Sequence, residues 1–181
     1  MKSLRILLLL IFFFVLHATR SSVFALPNLQ KVVITTPVQT NTIMYALPFP
    51  GMLPNHPLYV FKRLRDTLIE KMITNDVKKA EFYILQADKR LQMSVVLSSG
   101  KTESLAETMR NDAFMYREKS LSMLTKAAEK NTVIPRYVLE KLLLSSQKHK
   151  EVLQDMIVDT TPITNLITNI EALLKSQINK K

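Results

Sequence analysis

Glu103 and Glu107 stand four residues apart, the spacing that sets two carboxylates on one helical face, where such a pair can divide general-acid and general-base work. Arg110, three residues beyond Glu107, supports the competing reading of a solvated, ion-paired face. No serine lies in a G-x-S-x-G elbow, and two glycines in the whole chain leave no glycine-rich phosphate loop. Metal chemistry fares no better. A di-iron bundle needs Glu-x-x-His pairs, and the residues three before His56 and His149 are Leu53 and Ser146. Zinc sites draw on cysteine or clustered histidine, and the chain has no cysteine. Neither a metal nor a cofactor is expected, and the chain does not read as an enzyme.

Three residue groups remain. His149 falls on an apolar stripe, which suits a hydrogen-bonded core or boundary histidine better than a ligand. Met109, Met115 and Met123 share one predicted helix and read either as an adaptable binding groove or as filler of irregular core gaps. Tyr59, Lys62, Arg63 and Arg65 form the candidate surface, for a partner or for packing. In the packing version Tyr59 lies against the preceding segment and Lys62 and Arg63 pair with carboxylates such as Glu81 or Asp88. Surface pairs of that kind contribute only ~0.2–1 kcal/mol each.

Helices must carry these residues. Only Gly51 and Gly100 are glycines, and six of the eight prolines precede Phe61, which points to long helices behind an extended leader. Leu26 to His56 lacks helical period. Its prolines at 48, 50 and 54 predict a stiff strap over Leu47 to Pro57, docking through Phe49, Met52 and Leu53. The run Lys31 to Val38 is at best an edge strand, because Pro37 interrupts it.

A first helix starts at Pro57, with Leu58, Phe61, Leu64, Leu68 and Met72 as its buried stripe. Asn75 and Asp76 re-cap the chain for a second, whose inward face is Ala80, Ile84, Ala87, Leu91 and Val95 and which Gly100 ends. A third helix from Thr102 carries Leu105, Met109, Ala113, Tyr116, Ser120, Met123 and Ala127; its small residues permit close approach to the second in an antiparallel hairpin. Pro135 opens a fourth helix with Ile134, Val138, Leu142, Ser145, His149, Val152 and Met156 along one face. Thr161 and Pro162 open a fifth, striped by Ile163, Leu166, Ile167, Ile170, Leu173, Leu174 and Ile178. The expected fold is all-α, a bundle of about five helices round a long antiparallel hairpin.

The start of the chain reads as an export signal. Lys2 and Arg5 precede the apolar run Ile6 to Leu16, and Val23-Phe24-Ala25 offers a cleavage site. Eleven helical residues reach about 16 Å, half of a ~30 Å hydrocarbon layer, so an uncleaved tether is the rival to removal. The organisation expected is a signal over 1–25, a proline-rich leader over 26–56 and a helical domain over 57–181. Removing the signal takes Lys2, Arg5 and Arg20 from the net charge of +10 and leaves +7. That excess is spread thinly, at 8 basic against 5 acidic residues over 57–90, 6 against 5 over 101–130 and 7 against 5 over 131–181. Sequence-specific nucleic-acid binding needs a concentrated basic stripe, so it is not expected. Weak contact with an anionic membrane or wall polymer is.

Leu53 to Arg65 reads L-P-N-H-P-L-Y-V-F-K-R-L-R, followed by Lys78-Lys79-Ala80-Glu81 and Ala87-Asp88-Lys89-Arg90-Leu91. In order and spacing this resembles a bacterial domain family of unknown function, found in exported or membrane-tethered proteins, with a PLYxxKR opening, a KAE element and an AxxRL element. Leu105-Ala106-Glu107 and Glu118-Lys119-Ser120-Leu121 are similar to its following helix, so the likeness spans about residues 48–128. Serine or aspartate often precedes the PLY proline in that family; here it is His56. The resemblance implies an extracytoplasmic helical module and no chemistry. The resulting expectation is an exported, non-enzymatic binding or scaffold module of the cell envelope with an envelope protein as partner. A polyanion- or membrane-surface-binding protein and a periplasmic chaperone or stress sensor are the alternatives.

Overall fold

The computed structural model describes residues 43–178. The signal assigned to 1–25, the leader up to residue 42 and the possible edge strand all lie outside the described residues. Within them the chain forms five helices and no strand: α1 (Tyr59–Met72), α2 (Asp76–Ser99), α3 (Glu103–Glu129), α4 (Arg136–Asp155) and α5 (Thr161–Ile178). This is an all-α bundle, as the 3.6-residue periodicity predicts.

The α2–α3 hairpin is its frame. Small residues recur every seven positions on both helices, Ala80, Ala87 and Ser94 on one and Ala106, Ala113, Ser120 and Ala127 on the other, all essentially without exposure. The Ser120 hydroxyl donates to the Ala80 carbonyl at 3.1 Å and fixes the antiparallel register. Equal steps from that contact bring Ala87 level with Ala113 and Ser94 level with Ala106. Side chains this small let two backbones approach closely.

Helices α4 and α5 cover one side of the hairpin. Ile84, Leu124, Val138, Leu142, Leu166 and Ile170 meet there in the main apolar cluster. A second, smaller cluster of Tyr59, Met93, Leu97, Ala106 and Met109 sits nearer the hairpin turn, with Leu53 of the strap against it. The turns follow local chemistry. The Asn75 side chain accepts from the Lys78 amide at 3.0 Å and caps α2, as its residue type predicts. At the hairpin turn Lys101, not Gly100, takes the left-handed conformation, with φ 60°. Ile157 does the same between α4 and α5, with φ 57°.

Two expectations fail at the N-terminal end. The strap does not bury its apolar residues as a set: Leu53 is half-buried, but Phe49 is 83% exposed and Met52 is exposed as well. Helix α1 begins at Tyr59, two residues after Pro57, and it is turned the other way round. The stripe expected to be buried faces solvent, with Leu64 58%, Leu68 54% and Met72 79% exposed and Leu58 and Phe61 open too. The buried positions of α1 are Tyr59 and Asp66.

The reason lies in the surface beneath it. Beyond the apolar cluster that receives Tyr59, the hairpin presents a ladder of cations and rings on this side. The Arg90 guanidinium lies 5.6 Å from the Tyr59 ring and 5.8 Å from that of Tyr116. Lys119 stands over Tyr116 and Tyr83 at 5.3 and 5.6 Å. Against such a surface the polar side of α1 docks better, and the Tyr83 hydroxyl donates to Glu70 at 2.7 Å. Period alone cannot tell which side of an amphipathic helix meets its own protein.

Candidate functional site

Deep between α2, α3 and α4 lies a fully buried charged cluster. Asp88, Arg117, Ser145, Ser146 and His149 are each at most 2% exposed. Arg117 Nη2 donates to Asp88 Oδ1 at 3.0 Å and to Ser145 Oγ at 2.9 Å, while Nη1 donates to Ser146 Oγ at 2.7 Å. Ser145 in turn donates to Asp88 Oδ1. His149 Nε2 stands 3.0 Å from the same oxygen. A carboxylate only accepts, so Nε2 carries the imidazole proton. The end of the leader closes the set: the Tyr45 hydroxyl donates to Asp88 Oδ2 at 2.6 Å, and the Ile43 amide donates to Glu151 on α4 at 3.2 Å.

The electrostatics follow from burial and pairing. Burial pushes the Asp88 carboxyl up, but the His149 hydrogen bond, the Arg117 charge and Ser145 outweigh it and hold the group at about 2. Burial, then the Arg117 charge, presses His149 down to about 3 against the opposing pull of Asp88, so the ring is neutral near pH 7. Arg117 falls to about 10 through burial and stays charged. Burial and the neighbouring Asp88 drive the Tyr45 phenol upward, and it remains a donor.

Aspartate, histidine and serine together invite comparison with a nucleophilic triad. There, histidine bridges the nucleophile and the acid. Here Ser145 and His149 both contact Asp88 directly, and Arg117 occupies both serine hydroxyls. Among the described residues, no hydrogen bond links His149 to either serine. These bonds lie inside the core and tie three helices to the leader, while Arg117 Nε is buried without a partner.

The residues singled out from the sequence separate. Tyr59 is buried, with its hydroxyl 3.6 Å from Met109 Sδ. Lys62 turns to the strap and donates to the Pro50 and Met52 carbonyls at 3.1 and 3.2 Å, not to Glu81 or Asp88. Burial, with Arg90 nearby, lowers its ammonium to about 8. Arg63 is exposed. Arg65 is exposed too and bonds through Nη2 to the buried Asp66 at 2.7 Å. Lys62 and Arg63 therefore do not form the carboxylate pairs expected of them, because Asp88 is taken by Arg117 inside the core. Arg110 pairs with Glu103 at 2.6 Å, and Glu107 is simply exposed. His56 lies before α1 and accepts the Leu58 amide at Nδ1, 3.2 Å away, while the N-cap residue Leu58 offers the helix no side-chain cap.

Asp88, Arg117, Ser146 and Tyr45 were invisible as a group in the sequence. The available signal was Ser145 and His149, two polar residues four apart on an otherwise apolar stripe, which together demand a buried partner. Compared with protein-family models, curated proteins and solved structures, the chain matches none.

The outward face of α1 exposes an apolar stripe. Val60, Phe61, Leu64, Leu68 and Met72 stand in the open. Arg63, Arg65 and Lys71 are exposed around them, while the helix's two acids turn away, Asp66 buried and Glu70 half-buried toward Tyr83. Phe49 of the strap lines a shallow cleft with Arg65 and Lys89 beside this face.

Proposed function

We propose that the chain is an exported, non-enzymatic binding or scaffold module of the cell envelope that works by docking the outward face of α1. One observation carries the reading: α1, a helix on the rim of the bundle, keeps its apolar stripe in solvent and its acids inward. Large exposed apolar patches on soluble domains mark interaction sites. The closed Asp88 cluster supports a structural role for the buried polar groups. Export rests on the positive, then apolar, start of the sequence and on the family resemblance.

Because the chain lacks cysteine, single thiols report position without background. Full-length Leu64→Cys and Thr168→Cys variants, the second on exposed α5, are treated in intact bacterial cells with a membrane-impermeant maleimide. The expected result is labelling at position 168 with several-fold protection at position 64, lost on purification. Equal labelling at both positions overturns docking through α1. No labelling at either, with labelling restored on lysis, overturns export.

A further inference from the structure

We infer that the outward face of α1 docks on the surface of an anionic lipid bilayer, with the helix lying in the plane of the interface. This rests on the docking role proposed above and names what is docked against.

The charge distribution selects the partner. Every exposed charge on α1 is positive, namely Arg63, Arg65 and Lys71, and the two acids of the helix are withdrawn from the outward side. A second copy of this chain would set these cations against their own kind. An anionic surface complements them. The geometry favours lipid over a protein groove in two ways. The face is a convex cylinder with Leu64, Leu68 and Met72 more than half exposed, and a bilayer asks no shape match of it. Arg63 and Lys71 are exposed beside the apolar stripe on long stems, so their heads can reach lipid phosphates while the stripe enters the acyl boundary; the Arg65 head is held on Asp66. Phe49, 83% exposed, lines a separate shallow cleft with Arg65 and Lys89.

Length fixes the mode. Fourteen residues reach about 21 Å at 1.5 Å each, short of a ~30 Å hydrocarbon core. No described helix is long and apolar enough to cross a membrane. The helix therefore lies on the bilayer and does not span it. Its footing on the hairpin, the cation–aromatic ladder and the buried Tyr59, lies on the other side of the helix from this face, so docking leaves it undisturbed.

The test uses the full chain with an environment-sensitive fluorophore on Leu64→Cys, and on Thr168→Cys as reference. The label reads α1 itself, whatever the apolar run Ile6 to Leu16 does. Phosphatidylglycerol-containing vesicles should blue-shift the label at position 64 and not that at 168, and neutral phosphatidylcholine vesicles should bind at least 10-fold more weakly. Leu68→Glu, and separately Arg63→Glu with Lys71→Glu, should each weaken binding about 10-fold or more with an unchanged helical spectrum, since all three positions are exposed. No shift with anionic vesicles overturns the assignment, as does a shift of equal size at both positions. A concentration-dependent shift without vesicles assigns the face to a second copy, and a response to an acidic protein alone assigns it to a protein; either overturns lipid. If position 64 is protected in cells but indifferent to vesicles, docking through α1 stands and its lipid partner falls.

Discussion

At the scale of single residues, the buried ions govern. Arg117 is completely enclosed, and its charge is met by one carboxylate and two hydroxyls. Removing one member of such a pair strands the other without water. Arg117→Met should therefore lower unfolding stability by about 3–5 kcal/mol. Asp88→Asn removes the opposite charge, and the double variant should cost clearly less than the two single losses added together. Urea unfolding of the four proteins measures the coupling; strict additivity would show that the two groups do not act as a pair. The sequence exposes two of this set, Ser145 and His149, on the stripe of the fourth helix. It hides Asp88 and Arg117, because a charged residue at an inward helical position looks identical to one a turn away in solvent.

At the scale of elements, strain collects in the turns and amphipathicity in α1. Ile157 is 95% exposed and holds φ 57°, a conformation that brings a β-branched side chain against its own backbone and contributes no packing in return. Ile157→Gly should raise the stability by about 1 kcal/mol, read as an increased urea midpoint with an unchanged slope. A lowered midpoint would mean that the isoleucine makes contacts outweighing its strain. The stripe of α1 was legible in position and wrong in direction. Its residues recur at the helical spacing, yet the hairpin ladder of Arg90, Tyr116, Lys119 and Tyr83 receives the polar side. Nothing local in Leu58 to Met72 encodes that choice, since it depends on side chains from two other helices.

At the scale of the whole molecule, stability should fall with acid in two steps of one sign. His149 binds a proton near 6.5 when unfolded and only at about 3 when folded. Between those values the unfolded chain takes up a proton that the native one refuses, so the contribution is whole above about pH 6.5 and is lost as the pH falls toward 3. Asp88 follows lower down: its contribution is present above 3.8 and is lost toward about 2. The groups facing His149, namely Asp88, Arg117 and through Asp88 Tyr45, do not titrate between pH 7 and 4. The unfolding free energy from urea titrations should decline across that interval, by at most ~1.4 kcal/mol per pH unit. His149→Gln, which keeps a donor for Asp88, should flatten the decline. An equally steep decline in that variant would place its origin in other groups.

The sequence by itself determined the number of helices, their approximate limits, the Asn75 cap and the close hairpin of small residues. Each of these depends on neighbours a few positions away, through backbone propensity, capping and a period of 3.6 residues. Tertiary structure alone decided which side of α1 faces out, where Lys62 spends its charge and which residues surround Asp88. Those outcomes depend on groups brought together across as many as 61 positions of chain, as between Asp88 and His149. Desolvation and pairing energies exist only once the helices have met.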